Sequence, residues 1–206
     1  MNRPRVESLE TTMLNISLPS WVSRQIAEEP THFETLEARM ALVIRYSQTN
    51  FRNETGGPFA AGVFEKSSGR LVALGVNRVV PCNASIAHAE MVALTLAQQT
   101  LQTYDLGASD QPEHQLVVNG RPCAMCFGAI PWSGIRSLAI GASGQKIEAI
   151  TGFDEGPIHP NWQHELQRRG IEVIEEVLAD RACEVFEEFA ASGGRTYNGR
   201  GNEAAD

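Results

Sequence analysis

Two short motifs, each opening a helical pattern that follows a strand-like run, constrain this chain more than any other feature. The first is His88–Ala89–Glu90. The second is Pro122–Cys123–Ala124–Met125–Cys126, its first cysteine 33 residues after the glutamate. Thiols at i and i+3 on a helix point to one side and can grip a single ion. In the first turn the helix dipole favours anions and lowers the thiol pKa. Two thiolates and one imidazole suit Zn²⁺, and three protein ligands leave a fourth position open for water. His88, Cys123 and Cys126 are therefore the expected ligands of one zinc ion per chain. Zinc brings the pKa of bound water down to about 7, so hydroxide is available near neutral pH. Glu90, two residues past the histidine, is expected to sit beside that water without binding the metal and to shuttle its protons. A lone Cys-x-x-Cys also reads as a redox pair or half of a structural zinc site, in which case Cys82 is the nearby candidate for a fourth ligand.

The apolar pattern predicts what surrounds these motifs. Residues 1–30 are polar, carry Pro4, Pro19 and Pro30, and read as an irregular arm; residues 31–206 read as one domain with a C-terminal tail. Leu36, Met40, Val43 and Ile44 recur at helical spacing, with Thr31 as N-cap and Glu34 in capping-box position. That helix is expected to end before Gly56–Gly57–Pro58. Residues 59–65 and 71–77 read as strands joined by the hairpin-type connection Lys66–Ser67–Ser68–Gly69. Residues 85–101 read as a helix, 115–119 as a buried strand, and 123–130 as a helix with Pro122 at its first position. Strands at 137–141 and 171–176 and a closing helix at 178–191 complete the pattern, stopped by Gly193–Gly194. Alternating strands and helices after an opening hairpin argue for a mixed α/β sheet covered on both faces. The tail from Ser192 is rich in Gly and Asn and reads as disordered apart from Tyr197.

Composition narrows the function classes. The 206 residues are 42% hydrophobic, with no apolar run long enough to span a membrane. The amino terminus lacks the apolar segment of a secretory signal, so a cytoplasmic protein is expected. The net charge of −8, from 25 acidic and 17 basic side chains, argues against a polynucleotide partner, because phosphate neutralisation supplies most such affinity. Four cysteines without an export signal read as thiols or metal ligands rather than disulfides.

The order His-x-Glu then Pro-Cys-x-x-Cys is the signature of zinc deaminases. On these residues the chain resembles the cytidine-deaminase-like superfamily from about Gly56 to Tyr197. Within it, the resemblance is to the bacterial guanine deaminase branch. The segments that carry it are Gly57–Pro58–Phe59–Ala60–Ala61, Gly75–Val76–Asn77–Arg78–Val79–Val80, the two zinc motifs extended through Phe127–Gly128–Ala129, and Gly152–Phe153–Asp154–Glu155–Gly156–Pro157. The resemblance implies a three-layer α/β/α sandwich around a mixed five-stranded sheet, a homodimer, and hydrolysis of guanine to xanthine and ammonia. It also implies that Asn77 holds the carbonyl and ring-nitrogen edge of the substrate, that Phe59 and Phe153 sandwich the ring, and that the backbone at Ala89 adds a polar contact. Glu155 is then a second catalytic carboxylate, with Asp154 held in reserve, and the tail near Tyr197 closes the pocket. His159 and His164 are expected at the surface.

Two positions depart from the family pattern. Arg121 stands where the family usually has Glu before Pro-Cys, which bears on the substrate groups accepted. Pro131 falls in what is normally a continuing helix, which is expected to kink or stop near Ile130. Other readings stay open: deamination of an ammeline-type aminotriazine, another aminopurine or a nucleoside; tRNA adenosine deamination; or a zinc-stabilised binding module without turnover.

Overall fold

The computed structural model describes residues 14–198. Five strands pair into one mixed sheet: β1 (Ala60–Glu65), β2 (Leu71–Val76), β3 (His114–Gly120), β4 (Ser137–Ala142) and β5 (Glu172–Ile174). Their order is β2-β1-β3-β4-β5. β1 runs antiparallel to both β2 and β3, while β3, β4 and β5 run parallel. Apolar side chains line both faces, as a sheet covered on two sides requires. Along β3, Leu116 and Val118 enter one core cluster and Val117 the other.

Eight helices cover these faces among the described residues: α1 (Ser20–Ile26), α2 (Leu36–Arg52), α3 (Val79–Cys82), α4 (Ala89–Leu101), α5 (Ala124–Ser133), α6 (Gly144–Thr151), α7 (Trp162–Gln167) and α8 (Ala179–Ala191). Met40 and Val43 of α2, Ile147 of α6 and Phe186 of α8 fill one cluster. Ala93 and Leu94 of α4, Ile130 of α5 and Leu166 of α7 fill the other. The three layers match the expected α/β/α sandwich. At Gly75 on β2, an added Cβ would lie 2.4 Å from the Ala89 carbonyl oxygen and 2.5 Å from the Ala93 nitrogen. Only a residue without a side chain lets α4, which carries the first motif, press this close to the sheet.

Several boundaries differ from expectation. Within the arm, α1 is a formed helix: Val22 is fully buried, and Trp21 packs 5.6 Å from Tyr46. Residues 1–13, with Pro4, lie outside the described residues. Thr35, not Thr31, caps α2, accepting from the Ala38 N–H at 3.1 Å. Residues 31–33 are extended instead, because they bond the hairpin turn: Phe33 N–H reaches Gly69 O, and Leu71 N–H reaches Thr31 O. The helix expected from residue 85 begins at Ala89, after the short α3. Pro122 precedes the cap of α5 rather than occupying its first position. Pro131 does not stop α5, which runs on to Ser133 and ends at Gly134 with φ +83°. A proline in the last turn removes one i→i−4 bond, a loss this helix tolerates. Helices α6 and α7 are additional to the expected pattern.

Candidate active site and metal centre

Both motifs sit at helix N-termini. His88 is the N-cap of α4, and Glu90 lies in its first turn; Cys123 is the N-cap of α5, and Cys126 lies in its first turn. One ligand atom from each of His88, Cys123 and Cys126 lies within 4.8 Å of the others. The Cys123 sulfur is 3.5 Å from His88 Nδ1. Cys82 is not in this group, so three donors converge among the described residues. An imidazole and two sulfurs fit Zn²⁺, and a three-ligand set is that of a catalytic rather than a closed structural site.

Electrostatics within the cluster are unusual. Cys123 is held down to about 4 by hydrogen bonding from Cys126 and His88, against the opposing effect of burial. Cys126 is pushed up, first by sharing its proton with Cys123 and then by burial. One thiol of the pair is thus a ready thiolate. His88 is disfavoured as a cation by burial, but the Cys123 hydrogen bond and the Glu90 charge raise it overall. Glu90, 7% exposed, is raised to about 7 by burial and by the Cys123 charge, with His88 pulling the other way. A carboxyl that ionises near neutral pH suits a group that must both take and give protons.

A cavity of about 270 Å³ opens on this cluster, lined by Phe59, Asn77, His88, Glu90, Arg121, Cys123, Phe153, Asp154, Glu155 and Tyr197, with Val79, Ser85 and Asn198. Glu155 is 6% exposed and raised to about 8 by burial, then by the charges of Cys123 and Glu90. Asp154 is exposed, and its carboxylate accepts from the Gly156 N–H at 2.8 Å. The two adjacent carboxylates therefore have different environments. Asn77 is buried; its Oδ1 accepts from the N–H groups of Gly57 and Val79, both at 3.3 Å. That fixes the amide, and the Asn77 side chain also hydrogen-bonds the Tyr197 hydroxyl at the cavity wall.

Phe59 and Phe153 both line the cavity, but their rings meet edge to face with centroids 5.2 Å apart. A ring stacked between them needs about 7 Å, twice an aromatic contact distance of about 3.5 Å. The expected sandwich is corrected: the two phenyl groups form one wall. Tyr197 extends that wall, its ring 4.9 Å from Phe153, and also lines a second cavity of about 470 Å³ behind it. Ala89 is 1% exposed, packs against β2 and is not among the lining residues, so the expected contact there is absent from the cavity wall. His159 and His164 are exposed and are not part of the ligand group.

Sequence reasoning missed residues that position the pocket. Asn198 accepts from Asp154 N–H at 2.9 Å and donates to Gly152 O at 3.0 Å, pinning the tail to the loop that carries Glu155. Asn119 accepts from Ala60 N–H and donates to Pro58 O, clamping the residues on either side of Phe59. An Asn ending a strand was the one available signal for Asn119. Asn198 had none, lying in a tail that looks featureless.

Comparisons with known proteins agree with this arrangement. Residues 33–142 match the family model described as the cytidine and deoxycytidylate deaminase zinc-binding region. Guanine deaminase of Bacillus subtilis (strain 168) is 31% identical over 126 residues, 61% of this chain and 75% of that protein. The solved structure of guanine deaminase from Nitrosomonas europaea is 47% identical with a TM-score of 0.84, covering 88% of this chain and 98% of that one. A structure solved in complex with 2,6-diaminopurine is 48% identical, with a TM-score of 0.83 and coverage of 90% and 97%. By its matched region, its fold and its convergent His-Cys-Cys group, this chain belongs to the cytidine and deoxycytidylate deaminase zinc-binding family.

Proposed function

We propose that the protein hydrolyses guanine to xanthine and ammonia. The observation that carries this reading is the convergence of the His88–Cys123–Cys126 group and two buried carboxyls, Glu90 and Glu155, on one small cavity. Its volume of about 270 Å³ falls just below the usual range of about 300–1,000 Å³ for ligand pockets, which favours a bare base over a nucleotide. The guanine deaminases among its relatives, and the diaminopurine bound to one similar structure, support a purine.

Zinc held by His88, Cys123 and Cys126 would supply an acidified water. Glu90 takes a proton from that water and delivers it to a ring nitrogen, then transfers the second to the departing amino group. The water oxygen ends on the carbon that carried the amine, and nitrogen leaves as ammonia. Glu155, buried at the same cavity, hydrogen-bonds the exocyclic nitrogen and steadies it as that second proton arrives. Asn77 Nδ2 donates to the carbonyl edge, and the Phe59–Phe153–Tyr197 wall covers one face of the ring.

The reading includes a homodimer in the cytoplasm. Four free cysteines support a reducing compartment, and exposed large apolar side chains, Trp132 at 88% and Tyr104 at 87% among them, support burial of apolar surface by a second copy. The test is ammonia release by zinc-loaded protein from guanine, guanosine, adenine, cytosine, cytidine and ammeline. Equimolar xanthine and ammonia from guanine are expected. Turnover confined to another compound, or to tRNA, would overturn the substrate.

A further inference from the structure

Among the described residues three arginines have little exposure, and their hydrogen bonding divides them. Arg39 donates to the Phe33 carbonyl at 2.9 Å, to Gln115 Oε1 at 3.0 Å and to the Lys66 carbonyl at 3.1 Å. Arg78 donates to the carbonyls of Ser17 and Thr55. Both are structural ties whose donors are spent on the protein. The Arg121 guanidinium makes no hydrogen bond among the described residues. The nearest carboxylate is that of Glu148, 3.7 Å away on a side chain 46% exposed, while the Arg121 side chain itself is only 10% exposed.

The fold nonetheless keeps space for this group. Arg121 follows β3, and its backbone N–H is fixed by the Ala142 carbonyl at 2.9 Å. Its guanidinium lies over Gly144, where an added Cβ would sit 1.9 Å from Nε and 2.0 Å from Nη2. Alanine at residue 144 would collide with the head of the side chain. Arg121 lines the same cavity as Glu90, Glu155 and Asn77. No ion pair within 4 Å ties it to Glu155 among the described residues. A guanidinium carries five N–H donors in a fixed fork and no acceptor. A cavity-lining guanidinium with donors not spent on the protein is therefore open to acceptors that a ligand supplies.

We propose that Arg121 is a specificity-determining residue that donates directly to an acceptor ring nitrogen of the bound heterocycle, selecting purines and azapurines over rings that carry C–H there. The proposal deepens the guanine reading and rests on it. Guanine offers N3 and N7 as acceptors besides its carbonyl, and a guanidinium matches such an edge well. The alternative occupant, a nucleotide phosphate, fits less well, because the group lies in the pocket wall beside Glu155 and the cavity is small.

The test measures calorimetric binding of guanine, 3-deazaguanine, 7-deazaguanine and guanosine 5′-monophosphate to zinc-loaded Glu90→Gln protein, in which turnover is suppressed. Each ligand is measured with arginine, glutamine or lysine at residue 121. Arg121→Gln is expected to weaken guanine binding about tenfold, and by less than about twofold for the one deaza analogue that lacks the contacted nitrogen. Arg121→Lys is expected to recover part of the loss. An equal loss for all three bases, or no loss, overturns the proposal. So does tighter binding of the monophosphate than of guanine. Should Arg121→Gln fail to fold, the arginine protein still decides: if neither deaza substitution weakens binding, no ring nitrogen is contacted. Failure of the guanine reading looks different, with no guanine binding whatever residue stands at 121.

Discussion

The side-chain amide of Asn50 donates to the carbonyl oxygens of both Gly57 and Asn77, each at 2.9 Å, and so joins two walls of the pocket through one buried nitrogen. Its oxygen accepts from Thr55 Oγ1 at 2.9 Å, which in turn accepts from the Trp21 indole. Asn50→Leu leaves two buried carbonyls without this donor, a cost of about 2–3 kcal/mol. For a chain this long that lowers Tm by roughly 5–10 °C. Scanning calorimetry should show the loss together with a raised KM for guanine. An unchanged Tm would mean the amide ties nothing.

Glu90→Gln keeps the shape of the side chain and removes its ability to accept a proton. Turnover is expected to fall by about 10²- to 10⁴-fold with zinc content unchanged, read by steady-state kinetics and metal analysis on the same preparation. Activity within tenfold of the parent protein would remove Glu90 from its assigned role.

The neighbouring carboxylates Asp154 and Glu155 separate by environment, one exposed and turned to the Gly156 N–H, the other buried at the cavity. Glu155→Ala is expected to reduce kcat by at least about 100-fold, and Asp154→Ala by less than about tenfold. The reverse order would reassign the second carboxylate.

Glu155 also gives a pH signature in metal-free protein. An ordinary value of 4.5 is raised to about 8 on folding, so between these values the folded chain holds a proton that the unfolded chain has lost. Its contribution to stability is full below about pH 4.5 and is lost as pH rises through about 8. Glutamine does not titrate. The Tm of Glu155→Gln relative to the parent chain should therefore climb from pH 5 to pH 9, by on the order of 5 °C. A difference that stays flat with pH contradicts the raised pKa.

Legibility in the sequence followed the range of the interactions involved. The hairpin and the parallel strands were readable because alternation and apolar runs are local. The metal motifs of α4 and α5 were readable because metal chemistry demands its residues at fixed spacing, although α4 begins at Ala89 rather than at residue 85. Helix α1 was hidden: flanked by Pro19 and Pro30 and only seven residues long, it owes its existence to Val22 and Trp21 packing on α2. Spacing offered Thr31 as the cap of α2, but the pairing of residues 31–33 with the hairpin turn excludes it and Thr35 takes that place. Helix α6 did carry a signal, Ser143 accepting from Lys146 N–H ahead of Ile147, which the pattern reading passed over. Asn50 was beyond reach, and Asn119 offered only its place at a strand end, since its partners lie up to 61 residues away. The aromatic wall was misjudged for a related reason: sequence places Phe59 and Phe153 at one site but says nothing of the angle between them.

Tyr197 stands between two hollows, its ring forming a face of each. A chain cut short before this residue would keep every metal ligand and both acidic groups, yet its blind chamber would become a corridor open at the rear. Under the proposed function, selectivity for a compact ring would then rest on a side chain far in sequence from the chemistry that it encloses.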